Sequence, residues 1–168
     1  GVIMDFKKLK AGDKIYYTGV IYTARDQAHL RLKEMIDNHE NIPIDFQNAL
    51  IYYAGPTPTK PGNVIGSIGP TTSSRMDKFI DYMKPLKIEG MIGKGPRSSY
   101  VKDKIKEDGL IYFVATGGAG ALLSKAVISA KEVLFEDLGC ESIKRLEVKD
   151  FPLLVAIDTS GNNIFERN

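Results

Sequence analysis

The chain has 168 residues, enough for one domain with its own core, and a formal net charge of +2 with lysines scattered among acids, which excludes the concentrated basic stripe of a nucleic-acid binder. No apolar run approaches the length of a membrane span, and the opening GVIMDFKKLKAGDK lacks the apolar segment of a secretory signal, so the expected location is cytoplasmic. Cys140 is the only cysteine, which excludes an internal disulfide and any zinc or iron–sulfur site ligated by this chain's thiols alone.

Residues 14–21, KIYYTGVI, are β-branched and aromatic and predict a strand; after it Ala28, Leu32, Met35 and Ile36 recur at helical spacing. Thr23 stands where a cap would, with Asp26 three residues on, so the helix is expected to start at Ala24. ALIYYAG (49–55) and NVIGSIG (63–69) read as strands, joined by PTPTKPG, whose three prolines forbid regular structure. Met76, Phe79, Ile80 and Met83 mark one face of a second helix, closed by Pro85, and IEGMIG (88–93) is the next strand. SSYVKDKIKEDG predicts a third helix ended by Gly109, LIYFVATGG a strand entering a glycine-rich turn, and AGALLSKAV a short helix. AVISAKEVLFED, IKRLEVKD and FPLLVAID complete the chain as three strands, the last apolar enough for a sheet interior. Strands and helices alternate in the middle while both ends are richer in strand, which predicts one α/β domain with a mixed sheet over residues 1–168.

Three strand-to-helix junctions each bring a cation to free backbone donors. Arg25 follows Thr23; Arg75 follows the hydroxyl run Thr71, Thr72, Ser73 and Ser74 in GSIGPTTSSRMDKF; Lys94 lies between two glycines in GKGPRSS. Junctions of this kind gather on one edge of an α/β sheet, where three cations would suit a small dianion, arginine gripping a carboxylate bidentately beside helix N-termini. His29 falls one helical turn after Arg25, either to orient a bound carboxylate or as a satisfied structural histidine, whereas His39, in DNHEN, reads as surface. The two histidines sit in different settings with no paired cysteines, so no metal is expected on this chain. GMIGKG is no P-loop, because Gly95 stands where serine or threonine is required, and TGGAGALLS carries Leu123 in place of the third glycine of a dinucleotide fingerprint.

Taken in order, GPTTSSRMD, ARDQAH, GMIGKG, FVATGGAGAL and VKDFPLLVAIDTSGNNIF resemble the β-subunit, or C-terminal domain, of iron–sulfur-dependent hydro-lyases, the class I fumarases and L(+)-tartrate dehydratases; the resemblance spans about Lys10 to Phe165. It implies a swivelling β/β/α domain and an α-subunit that carries a 4Fe–4S cluster on three cysteines, the active site forming between the two proteins as a heterodimer or α2β2 assembly. The expected reaction is reversible hydration of fumarate to L-malate, with tartrate dehydration as the alternative. Arg25, Arg75 and Lys94 are implied to bind carboxylates, together with Thr72 and His29. Thr71 matches the position of the base that removes the C3 proton of malate, with Arg75 beside it in the catalytic pair. Where the family carries a small pair such as Ala-Gly, this chain has Ser73-Ser74, hydroxyls that would either meet a substrate hydroxyl or improve the helix cap. A non-catalytic dianion-binding module would use the same three cations.

Overall fold

A computed structural model describes residues 5–59, 61–116 and 120–166. Strand β1 (Lys14–Thr23) feeds helix α1 (Asp26–Asp37), and β2 (Leu50–Tyr52) is followed by a long loop and a 3-10 helix over Ser73–Tyr82. Next come β3 (Gly90–Gly93), α2 (Ser99–Asp108), β4 (Ile111–Ala115), the short α3 (Gly120–Leu123), β5 (Val127–Leu134) and β6 (Ile143–Ile157). Strands β1 to β4 run parallel, each joined to the next by a helical crossover, and β6 returns antiparallel to both β1 and β4. Those pairings close β1-β2-β3-β4-β6 into a barrel-like ring, with β5 added antiparallel on β6. The fold is thus one α/β domain with a mixed sheet.

Alternation along the strands divides the core in two. Ile21, Leu50, Tyr52, Ile92, Ile111, Phe113, Phe151 and Leu153 fill the inside of the ring. Their neighbours Tyr22, Ile51, Tyr53, Met91 and Tyr112 point outward and are covered by Ala28 and Leu32 of α1, Met76, Phe79 and Ile80 of the 3-10 helix, and Val101 and Ile105 of α2. Gly109 ends α2 in the left-handed conformation (φ 70°), as the sequence predicts. Among the described residues no helix is long and apolar enough to cross a membrane.

Four local expectations are corrected. Thr23 does not cap α1: the ladder runs on through Ala24, whose N–H donates to Tyr52 O at 2.9 Å, so Thr23 stays in the sheet and Arg25 becomes the cap residue. Residues 63–69 form no strand, because the segment folds back on its own loop through Thr57 N to Ser67 O (3.0 Å) while Ile65 and Ile68 anchor it in the core. The second helix is 3-10 over its full length. IKRLEVKD and FPLLVAID are one strand, and the break between them is a bulge at Asp150 (φ 53°), whose N–H donates to Thr18 Oγ1 at 3.0 Å. The glycine-rich turn at 117–119 lies outside the described residues.

Candidate active site

Parallel order puts the C-terminal ends of β1 to β4 on one edge, and a short stretch of backbone is laid across it. Thr71 donates both its N–H (2.8 Å) and its Oγ1 (3.1 Å) to Tyr53 O, just past β2. Ser73 N donates to Lys94 O at 3.0 Å, Lys94 N donates back to Ser73 Oγ at 3.0 Å, and Thr72 pairs with Lys94 as a parallel bridge. The segment therefore wedges between the ends of β2 and β3, which brings Thr71, Thr72 and Lys94 together from 23 positions of sequence separation at most. Gly93 permits the approach, since a Cβ there would overlap the Ser73 hydroxyl and come within 2.8 Å of Tyr53 Cδ2.

Arg75 follows in the first turn of the 3-10 helix and faces α1, its Nη2 lying 3.7 Å from Asp26 Oδ1. Arg25, the cap residue of α1, lies over Gly55; a Cβ added there would fall 2.7 Å from Arg25 Cδ and 3.1 Å from Cys140 O. Its Nε is buried without a hydrogen-bond partner. A second carboxylate reaches α1, where Gln27 N donates to Glu141 Oε1 at 3.4 Å. Three cations, Arg25, Arg75 and Lys94, thus rim the strand ends, with Asp26 and Glu141 as their local counter-charges. A cavity of about 310 Å³ adjoins this rim beside Cys140, lined among others by Pro56, Thr57 and Lys144.

His29 belongs to the floor, not the rim. It is 2 % exposed, packed against Tyr53 and Phe79 at ring-centroid distances of 5.5 and 5.3 Å, with Nδ1 2.8 Å from Arg25 O and Nε2 buried without a partner. Burial drives its pKa down to about 4, against the smaller opposing pull of the Arg25 carbonyl, so the ring is neutral at neutral pH, with Nδ1–H donating to that carbonyl.

Ser73 answers the question its hydroxyl raised. The residue is fully buried and makes no side-chain cap; Oγ takes the Lys94 amide and meets Tyr112 OH at 2.7 Å, so it faces neither solvent nor a substrate hydroxyl. Sequence reasoning missed the layer around it. Arg97 lies buried between Tyr53 and Tyr112 and pairs with Asp77, while Ser98 donates to the same carboxylate. Asp77 and Arg97 are 20 positions apart, and only their presence in RMD and GKGPRSS signals them. Among the described residues no three His, Cys, Asp or Glu side chains converge as metal ligands, so these residues do not fit an iron–sulfur cluster held by this chain.

The model of the family described as "Fumarase C-terminus" matches residues 2–168. A Methanocaldococcus jannaschii protein provisionally named L(+)-tartrate dehydratase subunit beta is 43 % identical, the match covering 96 % of this chain and 86 % of that one. The L(+)-tartrate dehydratase subunit beta of Escherichia coli is 34 % identical over 98 % of this chain and 83 % of its own length. The aerobic class I fumarate hydratase of Escherichia coli is 37 % identical over 99 % of this chain, which spans only 31 % of that longer protein. With the family model and near-full-length relatives in agreement, this chain belongs to the fumarase C-terminal domain family.

Proposed function

We propose that this chain is the β-subunit half of a two-part hydro-lyase that hydrates fumarate reversibly to L-malate. In this reading it supplies carboxylate binding and proton transfer to a site completed by an α-subunit, which holds the iron–sulfur cluster. The carrying observation is the wedge at residues 71–75, whose Thr71 and Ser73 amides pin it to Tyr53 O and Lys94 O and which so brings the Thr71 hydroxyl and Arg75 to the same parallel-strand ends as Lys94. The cluster would act as a Lewis acid on the substrate hydroxyl, and no ligand to it is assigned to this chain.

Removing a proton next to a carboxylate builds negative charge on that carboxylate. Arg25, Arg75 and Lys94 are therefore worth more in the transition state than in the ground state, which is what lowers a barrier. Thr71 is the proposed base. With its hydrogen donated to Tyr53 O, its oxygen offers only lone pairs to a ligand above it. An unperturbed alcohol is almost wholly protonated at neutral pH, so Thr71 must first release its own proton to solvent, the cation Arg75 four residues on favouring the alkoxide, which then takes the C3 proton and is an alcohol again. Thr72 lies beside it on the exposed side of the bridge, placed to meet a carboxylate through its hydroxyl. His29, enclosed below, supports Arg25 through the cap carbonyl and does not itself contact substrate.

Tartrate is the second reading, favoured by the identity of 43 % to a chain named for that reaction. The test is anaerobic reconstitution with the cluster-bearing partner, following fumarate hydration and tartrate dehydration with each subunit alone as control. Activity in the mixture only supports the divided site, and the faster acid identifies the substrate. A cluster-loaded partner inactive with both acids overturns the reading in favour of a dianion-binding module.

A further inference from the structure

Directly beneath the wedge lies an ion pair with no part in the proposed chemistry. The Arg97 side chain is 0 % exposed and that of Asp77 5 %. Arg97 Nε donates to Asp77 Oδ1 at 2.5 Å, and Asp77 Oδ2 accepts Ser98 N at 3.0 Å and Ser98 Oγ at 2.7 Å. The guanidinium carbon sits 5.3 Å from the Tyr53 ring centroid and 4.9 Å from that of Tyr112. Both terminal nitrogens are buried without an acceptor, leaving most of the guanidinium's N–H capacity unmet among the described residues.

Stability is a poor reason for such a pair, because desolvating two charges is costly and apolar replacements of both partners are commonly neutral or better. Position is a better one, since every group that holds Arg97 also holds the site. Tyr53 carries the carbonyl that takes the Thr71 amide and hydroxyl. Tyr112 OH is shared between Ser73 Oγ (2.7 Å) and Gly95 O (2.8 Å), one on each side of the Lys94 contact. Asp77 ties the opposite end of Arg97 to the 3-10 helix that carries Arg75. Arg97 is also three residues from Lys94 along a loop that turns at Gly95 (φ 82°), so its fixed position bears on where Lys94 lies.

We propose that Arg97, clamped by Asp77 between Tyr53 and Tyr112, is a positioning residue that sets Lys94 against the Thr71–Arg75 segment. Its kinetic consequence rests on the hydro-lyase reading; its effect on the Lys94 backbone does not. Arg97→Met alone leaves the Asp77 charge buried and unpaired, so the informative variant is the pair Arg97→Met with Asp77→Asn, in which the amide oxygen can still accept from Ser98.

Two measurements decide. By amide exchange on the chain, the N–H groups of Lys94 and Ser73 should exchange at least tenfold faster in the double variant than in wild type, while β1 and α1 remain protected; unchanged exchange at both amides overturns the proposal. In the reconstituted complex, the double variant should lower kcat/KM at least tenfold. Adding Lys94→Ala to it should cost far less than the same change costs wild type, because both act through one contact. A merely structural role would make the two losses multiply, and that result overturns the proposal. If the wild-type complex is inactive, the hydro-lyase reading falls alone, and the exchange measurement still decides whether Arg97 holds Lys94.

Discussion

His29 makes the acid sensitivity of this domain calculable. Buried behind Arg25, it protonates in the folded chain only near pH 4, whereas in the unfolded chain it takes up its proton near the ordinary 6.5. Between those values the unfolded state binds one proton more. Folding stability attributable to this residue is therefore intact above pH 6.5 and is lost as pH falls toward 4, with a slope approaching about 1.4 kcal/mol per pH unit and a total of about 3 kcal/mol. His29→Leu should abolish that contribution at little cost elsewhere, because the Arg25 carbonyl keeps its backbone bond from His29 N (3.0 Å) when the ring is gone. The assay is urea unfolding of both proteins at pH 7.0, 5.5 and 4.5, read as the difference in their pH dependence so that carboxylate titrations common to both cancel. The other histidine, His39, is exposed and present in both proteins, so it cancels too. A leucine variant that loses as much stability as wild type between pH 6.5 and 4.5 would refute the reasoning.

Gly93→Ala should destabilise the domain by about 2 kcal/mol, since its Cβ would meet both the Ser73 hydroxyl and the Tyr53 ring in a buried strand, and thermal melts of the pure chain measure it. Asp158→Asn should cost about 2 kcal/mol at pH 7, because the carboxylate accepts from the N–H groups of Ala11, Ser160 and Asn162 and from Asn162 Nδ2. Burial pushes the Asp158 pKa up, but those donors outweigh it and hold it below the usual carboxylate value, so its contribution is present above that value and disappears as pH falls through the lowered one. Thr71→Val in the reconstituted enzyme should lower kcat at least ~100-fold with KM largely kept, the valine amide still reaching Tyr53 O; turnover like wild type would dismiss Thr71 as the base.

Elements set by short-range pattern were legible in the sequence, and those set by pairing were not. Alanine and leucine spacing gave α1, and the glycine at 109 gave the end of α2. Val64, Ile65 and Ile68 carry the same β-branched character as a strand, yet the segment folds back on its own loop at Thr57, and Ile65 and Ile68 bury as anchors. The Asp150 bulge interrupts the apolar alternation much as a turn would, and only the resumption of pairing with β1 on both sides of it distinguishes the two. The junctions that hold Arg25, Thr71, Thr72, Arg75 and Lys94 were each readable in the sequence, and the parallel strand order brings those junctions to one edge. Asp77 and Arg97 were not, since a buried pair 20 positions apart depends on a crossing of the chain that no local pattern encodes.

The electrostatics of the two layers follow from this arrangement. In the floor, Arg97 and Asp77 cancel, and His29 is held neutral by burial, so the floor adds little net charge beneath the strand ends. The rim is different, because Arg25, Arg75 and Lys94 outnumber Asp26 and Glu141 there, and the two acids sit at 3.7 Å from Arg75 and on the α1 amide, not on Lys94. A protonated His29 would add a cation a turn below Arg25 at the cost of desolvation, which is why its lowered pKa keeps anion attraction at the surface. The positive field at the strand ends is thus produced by side chains at the surface, and the buried charges beneath serve to fix where those side chains begin.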